Sequence, residues 1–300
     1  MEASITPFRI ANAILQDKDF SGYYVLVEGK KDIKIYRRFI IEEAAKIKAT
    51  FGKYKQREVL GILDERSFSK VLGIRDADYL RINGNLKYDP DYAGAVFATD
   101  CHDSELMMIQ ADVLSNYLVL ISEDEKVLAF EDKVRKKLPD LLLDLLYSLG
   151  CLRLANKRFS LGLSFKPEKP DGNKLKINKF ISENSWTYLG DEIMINTVVE
   201  YSKNRGTVVS CREVIKEKLK EIADENHPAI ELVNGHDISQ LLLLVSKNGL
   251  DSKNKLLQNA DCVEDLLIAS FDLLKFSGTK LFKNLLNWQV TRQTEILRAI

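Results

Sequence analysis

Short apolar runs alternate with amphipathic segments along the first third of the chain. The runs Tyr23–Val27, Lys70–Asp76 and Ala93–Asp100 have the length and composition of buried strands. The segments from Lys31 to about Thr50 and from about Asp103 onward place apolar residues at helical spacing. Strands that alternate with helices favour a mostly parallel sheet flanked by helices. The predicted fold class is therefore α/β.

Beyond about residue 122, most apolar positions follow helical spacing. Helices are predicted within residues 138–152, 211–225, 238–249 and 263–300. A polar segment with Pro and Gly, residues 164–179, interrupts them and is predicted to form a long exposed loop or a hairpin. We therefore expect an α/β domain at 1–122. A mainly helical domain at 123–300 would serve dimerisation, partner binding and nucleic-acid binding.

Acidic residues follow each of the three predicted strands: Glu28 and Asp32, then Asp76 and Asp78, then Asp100, Asp103 and Glu105. If the strands are neighbours in a parallel sheet, their carboxyl ends meet at the edge where α/β proteins bind ligands. Crowded carboxylates repel and raise one another's pKa values unless a cation binds between them. Mg²⁺ prefers oxygen ligands and can polarise a phosphodiester and activate water. The pattern predicts a divalent-metal site.

Several of these residues have more than one interpretation. Asp76 and Asp78 lie two apart and, on an extended chain, would point to the same side. Asp32 would lie in the first turn of a helix, where the helix dipole stabilises it with or without metal. Asp100 is either a turn residue or an acid behind the metal ligands. His102 either donates a proton to a leaving oxygen or caps a helix.

The composition excludes several classes of protein. The 300 residues include 44 Lys+Arg and 44 Asp+Glu, so any nucleic-acid surface must be a local patch. The four cysteines form no CxxC pair, which argues against a zinc site and favours reduced thiols. No apolar run approaches the roughly 20 residues of a membrane helix. The first residues lack the features of a signal peptide, so a cytoplasmic location is expected.

Two stretches of the chain are locally basic. Between Lys30 and Arg57 there are ten Lys or Arg and three acids, and residues 153–179 contain eight and two. Phosphate contacts supply most nonspecific affinity for nucleic acid. Lys30 and Lys31 adjoin the acids and are candidates for neutralising the scissile phosphate. Nucleic-acid contacts are predicted at Arg75, Lys157, Arg158, Lys166, Lys174 and Lys176. The alternative is a solvated helix face and a lysine-rich loop.

Three motifs carry a resemblance to a known family: "VLVEGKKDIKIYRRF", "GIRDADY" and "TDCHDSELMM". Together they resemble the TOPRIM domain of OLD-like nucleases over about Tyr23–Leu118, and most narrowly the AriB effector family of PARIS anti-phage defence systems. The resemblance implies a Rossmann-like TOPRIM sheet. It also implies an endoribonuclease toxin that cleaves tRNA with one or two Mg²⁺ or Mn²⁺ ions. An ABC-type, AriA-like ATPase partner would hold the toxin inactive.

The resemblance also assigns roles position by position. Glu28 matches a metal ligand or general base, and Asp76 and Asp78 match metal ligands. The third acidic position is open between Asp103 and Glu105, with Glu105 favoured.

Two rival functions stay open at this point: a DNA-cleaving nuclease, and a degenerate TOPRIM scaffold that only binds a partner. The chain has no Gly-rich phosphate loop followed by Lys-Ser/Thr, so any ATPase activity must come from another chain. The long helical C-terminal region suggests a homodimer.

Overall fold

A computed structural model describes residues 5–85, 94–167, 172–203, 205 and 208–299. The chain forms two compact units: the first is Met1–Ala111 together with Phe271–Ile300, and the second is Asp112–Ser270. The sequence predicted a division into 1–122 and 123–300, which places residues 271–300 with the helical region. In the structure, these residues belong to the first unit.

The first unit contains a four-stranded parallel sheet in the order β2-β1-β3-β4. Its strands are β1 (Tyr23–Val27), β2 (Ala45–Ala49), β3 (Val71–Arg75) and β4 (Val96–Ala98). The predicted α/β class is confirmed, and β1, β3 and β4 lie within the predicted runs. Leu26 pairs with Gly73, and Gly73 pairs with Val96. The carboxyl ends of β1, β3 and β4 therefore lie side by side.

Helices flank this sheet: α1 (Pro7–Leu15), α2 (Lys30–Tyr36), α3 (Lys53–Glu65), α4 (Ser104–Gln110), α13 (Leu273–Ser277) and α14 (Lys280–Thr291). Helix α1 packs against α3. Tyr24 and Leu26 of β1 join Ile14, Val59 and Leu63 of these helices in one buried cluster. Because side chains alternate along a strand, Val25 and Val27 face the other side of the sheet.

The helix expected from Lys31 to Thr50 is wrong in its second half. Helix α2 ends at Tyr36, a 3₁₀ turn follows, and β2 then pairs in parallel with β1. Lysines alternate with apolar residues in the sequence AKIKA of β2, which is the pattern of a half-exposed edge strand. Pairing with β1 overrides the helical spacing, because strand formation depends on its tertiary neighbours.

Residues 271–300 belong to the first unit because α14 packs beside the sheet. The Trp288 ring makes edge contacts with Tyr23 and Phe97, at 5.2 and 6.4 Å between ring centroids. The Ile41 backbone N–H donates to the Ile296 carbonyl oxygen at 2.9 Å. These contacts join residues far apart in the chain, which a helical pattern alone does not reveal.

The second unit is mainly helical. Its elements are α5 (Val113–Ile121), α6 (Asp124–Val134), α7 (Leu138–Phe159), the hairpin β5 (Ile181–Ser182) and β6 (Thr187–Tyr188), α8 (Asp191–Ser202), α9 (Arg212–Asp224), α10 (Ala229–Leu232), α11 (Gly235–Leu244) and α12 (Ala260–Ser270). Helix α7 packs against α9, α10 and α11. Arg153 of α7 donates two hydrogen bonds of 2.7 Å to Asp237 of α11.

The helices predicted in this region are confirmed, although the stretch 263–300 is divided among α12, α13 and α14. The predicted polar loop at 164–179 contains a 3₁₀ turn at Ile177–Lys179, and residues 168–171 lie outside the described residues. None of the described helices combines the length and hydropathy of a membrane-spanning segment.

We predict that Gly61→Ala stabilises the first unit by about 1 kcal/mol, because alanine has the higher helix propensity. Gly61 lies within α3, and a Cβ atom there would meet no atom within 4 Å. Urea denaturation measures the free energy of unfolding. In the control Gly22→Ala, the new Cβ would collide with the Ala44 carbonyl oxygen, so that variant should be destabilised. A loss of stability in Gly61→Ala would contradict the prediction.

Candidate functional site

The acidic residues that follow β1, β3 and β4 gather at the carboxyl edge of the sheet, which we call the acidic edge. Glu28 comes directly after β1, Asp76 comes directly after β3, and Asp103 caps the N-terminus of α4. Asp32 lies in the first turn of α2, where its carboxylate accepts a 2.8 Å hydrogen bond from the Gly29 backbone N–H. Burial raises the pKa of Asp32 despite this hydrogen bond.

Glu28 has a buried carboxylate oxygen without a partner. Among the described residues, none donates a hydrogen bond to its Oε1. Burial raises the pKa of Glu28, and the negative charges of Asp78 and Asp32 raise it further. An unsatisfied buried acceptor costs about 1–3 kcal/mol, and more when it is charged. A cation or a proton bound at Glu28 Oε1 would therefore be stabilising.

Asp76 is the most crowded of the carboxylates. Burial raises its pKa well above the ordinary value, and neighbouring negative charges add to the effect: Asp103, Asp32, Glu28 and Asp78. Ser104 donates to Asp76 Oδ1 from its backbone N–H at 3.1 Å and from its hydroxyl at 3.2 Å. The acids that follow β1, β3 and β4 therefore lie in one neighbourhood.

Asp78 departs from the expected extended conformation. Its φ of 50° lies in the left-handed region, and its backbone N–H donates to the His102 carbonyl oxygen at 2.6 Å. Its Oδ2 accepts from Lys53 Nζ at 2.5 Å and lies 3.8 Å from Arg75 Nη2. The expected extended conformation is therefore wrong at Asp78, although its charge still acts on Asp76 and Glu28.

Helix α4 contributes both candidates for the third acidic position. Asp103 caps the helix through a 3.1 Å hydrogen bond from the Leu106 backbone N–H to its Oδ1. Glu105 is 7% exposed, and its Oε1 accepts a hydrogen bond from Lys31 Nζ. Lys31, predicted to neutralise the phosphate, thus contacts Glu105, a predicted metal ligand. Its neighbour Lys30 is exposed at the start of α2.

Asp100 and His102, the remaining predicted residues of this edge, contact neighbouring parts of the first unit. Both carboxylate oxygens of Asp100 accept backbone hydrogen bonds at the start of α14, from Lys280 at 2.6 Å and Leu281 at 2.7 Å. Asp100 therefore acts as a helix cap rather than as a turn residue alone. His102 is 3% exposed, and its ring makes an edge contact with Tyr79 at 4.7 Å.

Two residues of α3 shape the site although the sequence patterns did not single them out. Lys53 begins α3 and pairs with Asp78. Gln56 is 2% exposed, and its Nε2 donates to the carbonyl oxygens of Leu26 at 3.0 Å and Ile74 at 2.9 Å. Gln56 thereby joins the ends of β1 and β3. The available signal was a polar residue on the apolar face of an amphipathic helix.

The carboxylates of the acidic edge fit a hard cation in their chemistry. They are all oxygen donors, Glu28 Oε1 has no partner among the described residues, and burial with the charge of neighbouring carboxylates raises the pKa values of Glu28 and Asp76. Within the part of the chain that the structure describes, no three of these carboxylates place ligand atoms within 4.8 Å of one another. Among the described residues, only His236, Asp261 and Glu264 of the second unit place three ligand atoms within 4.8 Å of one another.

That second group already has internal partners. His236 Nδ1 lies 2.9 Å from Glu264 Oε1, and Asp261 accepts from Lys174 Nζ at 2.9 Å. No sequence pattern singled out Asp261 or Glu264. Their contacts match ordinary ion pairs between neighbouring elements.

The predicted nucleic-acid contacts divide between the two units. Arg75 is at the end of β3, where its Nε donates to the Asp76 carbonyl oxygen at 3.1 Å. The other five belong to the second unit: Lys157, Arg158, Lys166, Lys174 and Lys176. Arg158 pairs with Glu225 at 2.5 Å, so it and Lys174 already have carboxylate partners. Lys176 lines a cavity of about 410 Å³.

A scan against protein-family models finds no match for this chain, and a search of curated proteins also finds none. The residues of the acidic edge are therefore the observations that bear on function.

We predict that Gln56→Leu destabilises the first unit by about 2 kcal/mol, because two strand carbonyls lose a buried donor. Thermal or urea denaturation measures the effect. Gln56→Glu should be destabilised more strongly at neutral pH, since its buried carboxylate would face those carbonyl oxygens. Wild-type stability in both variants would contradict the role given to Gln56.

We predict that Asp76→Asn raises the Tm of the metal-free protein at neutral pH. The folded-state pKa of Asp76 lies above its ordinary value of 3.8, so the wild type loses stability as the pH rises from below that value. The amide lacks this charge and keeps an acceptor for Ser104. Each kcal/mol regained should raise the Tm by about 2–4 °C.

Differential scanning calorimetry in a chelator, at neutral pH and near pH 3, checks this prediction. The gain should disappear at the acidic pH, because the wild-type carboxyl is then protonated in the folded and unfolded states. An equal gain at both pH values would show that charge repulsion is not its cause.

Proposed function

We propose that this chain is a divalent-metal-dependent nuclease whose active site is the acidic edge of the parallel sheet. One observation carries the proposal: the buried Glu28 oxygen has no partner, and it lies beside carboxylates that repel one another. Acids that end adjacent strands at the ligand-binding edge of an α/β sheet support the same interpretation.

The residues of the acidic edge can be assigned different roles in catalysis. Glu28, Asp76 and Asp78, with Asp103 or Glu105, would hold one or two Mg²⁺ or Mn²⁺ ions. A bound ion of this kind polarises a phosphodiester and lowers the pKa of water. Lys31 and Lys53 hold positive charge beside the carboxylates, where it would stabilise negative charge that develops on a phosphate. The raised pKa of Glu28 makes its carboxylate a stronger proton acceptor than that of an ordinary glutamate.

The resemblance of the strand-end motifs to the AriB effector family supports a narrower form of the proposal. In that form, the chain is an endoribonuclease toxin of an anti-phage defence system and blocks translation by cleaving tRNA. An AriA-like ABC-type ATPase would hold it inactive, and the released chain would act as a homodimer in the cytoplasm.

We predict that Glu28→Gln lowers the rate of tRNA cleavage in Mg²⁺ by at least about 10²-fold, the scale of losing one preorganised charge at an active site. Glutamine keeps the size of the side chain and removes the charge. The matched control is Glu43→Gln, an exposed glutamate of the same unit, which should cleave like the wild type. End-labelled tRNA on a denaturing gel gives the rates.

Equal cleavage by the wild type and Glu28→Gln would overturn the proposed site. A plasmid substrate in parallel separates the substrate classes, since nicking of the plasmid with intact tRNA would indicate a DNA nuclease. Titration calorimetry with Mg²⁺ tests the remaining rival. If the protein neither binds Mg²⁺ nor cleaves either substrate, the result would favour a scaffold without activity.

A further inference from the structure

A groove of about 500 Å³ lies beside the acidic edge within the first unit. One wall is a face of α3, and the other includes residues of β3 and β4 together with Arg292 at the C-terminus of α14. Lys53, Arg57, Gly61 and Asp64 of α3 line it at spacings of four, four and three residues. These spacings place them on one face of the helix.

The described lining of the groove is cationic. Among the described lining residues, four are basic and one is acidic: Lys53, Arg57, Arg75 and Arg292, with Asp64. Arg57 and Arg292 are both exposed, and within the described part of the chain neither has a carboxylate partner. Unpaired arginines on opposite walls of a concave surface are suited to phosphate oxygens, which the guanidinium group can bind with two hydrogen bonds.

The groove is continuous with the acidic edge through two shared residues. Lys53 and Arg75 line the groove, and both contact Asp78, at 2.5 and 3.8 Å. A polyanion bound along the groove would therefore reach the carboxylates at that end. Phe68 and Leu60 add an apolar part to the wall, and an aromatic ring is the kind of surface on which an unpaired base stacks.

Gly61 keeps the groove open. A Cβ atom at this position would meet no atom within 4 Å, so the missing side chain leaves empty space in the wall. Clefts of roughly 300–1,000 Å³ are the usual size of ligand sites. A groove of about 500 Å³ therefore has room for a short piece of one strand.

We propose that this groove binds the phosphodiester backbone of a single-stranded segment of nucleic acid, with Arg57 and Arg292 as phosphate contacts. Placing the scissile phosphate at the acidic edge rests on the proposed function. Binding in the groove does not, and it can be measured without cleavage.

The test is fluorescence anisotropy with a labelled oligouridine of roughly 12 nucleotides, in EDTA so that no cleavage occurs. Arg57→Glu and Arg292→Glu should each weaken binding about tenfold at moderate salt. For the double variant, the slope of log K against log salt should fall by about 1.4, at 0.7 for each lost phosphate contact. Arg66→Glu has the same charge change at the end of α3 outside the groove lining, and should bind within about twofold of the wild type.

Gly61→Leu provides a test without a charge change. Its side chain would fill the groove, so binding should weaken at least about fivefold, while circular dichroism shows a folded chain. A duplex of the same length should bind more weakly than the single strand and should respond less to the Arg57 and Arg292 variants.

The two proposals can fail separately. If both arginine variants bind like the wild type, or if the wild type binds no oligonucleotide at low salt, the groove proposal is overturned even when Glu28→Gln abolishes cleavage. If the arginine variants lose binding while Glu28→Gln cleaves normally, the groove stands and the acidic edge is not the active site. Equal losses in Arg66→Glu would also overturn the groove, because net charge alone would then account for them.

Discussion

The parallel register of β1, β3 and β4 is the constraint on which the candidate site depends. Leu26 pairs with Gly73 and Gly73 pairs with Val96, so the strands end at one edge of the sheet. A shift of one residue would turn every side chain of a strand to the other face and separate the acids. Gln56 protects this arrangement, since its amide joins carbonyl oxygens of β1 and β3 just before the strands end. The geometry of the site is therefore a consequence of sheet pairing and of one buried amide.

Folding gathers carboxylates that repel, and local contacts offset part of that cost. Lys31 pairs with Glu105, Lys53 pairs with Asp78, and Ser104 donates twice to Asp76. Glu28 receives no comparable contact at Oε1 within the described residues, and its pKa is raised. An arrangement that is only partly neutralised stores electrostatic free energy, which a cation can release on binding. Lys31 and Lys53 mark the two places where positive charge already stabilises the carboxylates.

The sequence was most informative where a signal is local. Three apolar runs that end in acid predicted three strands and their shared edge, because strand length and charge are visible within a few residues. Strand β2 was missed, since AKIKA becomes a strand only by pairing with β1. The place of Trp288 beside Tyr23 and Phe97 depends on contacts across most of the chain. Lys53 reaches the site from a helix 25 residues before its partner Asp78, a separation that no short motif expresses.

Lys53 and Arg75 connect the electrostatics of the acidic edge with those of the groove. Both cations contact Asp78, so a phosphate that approaches them competes with that carboxylate. A divalent cation on Asp78 would remove this competition and leave the two basic side chains to the phosphate. Metal and nucleic acid are therefore expected to strengthen each other's binding, and linkage makes the coupling equal in both directions. Without metal, Arg57 and Arg292 would still hold a strand in the groove, whereas Lys53 and Arg75 would stay in contact with Asp78 and contribute less to binding.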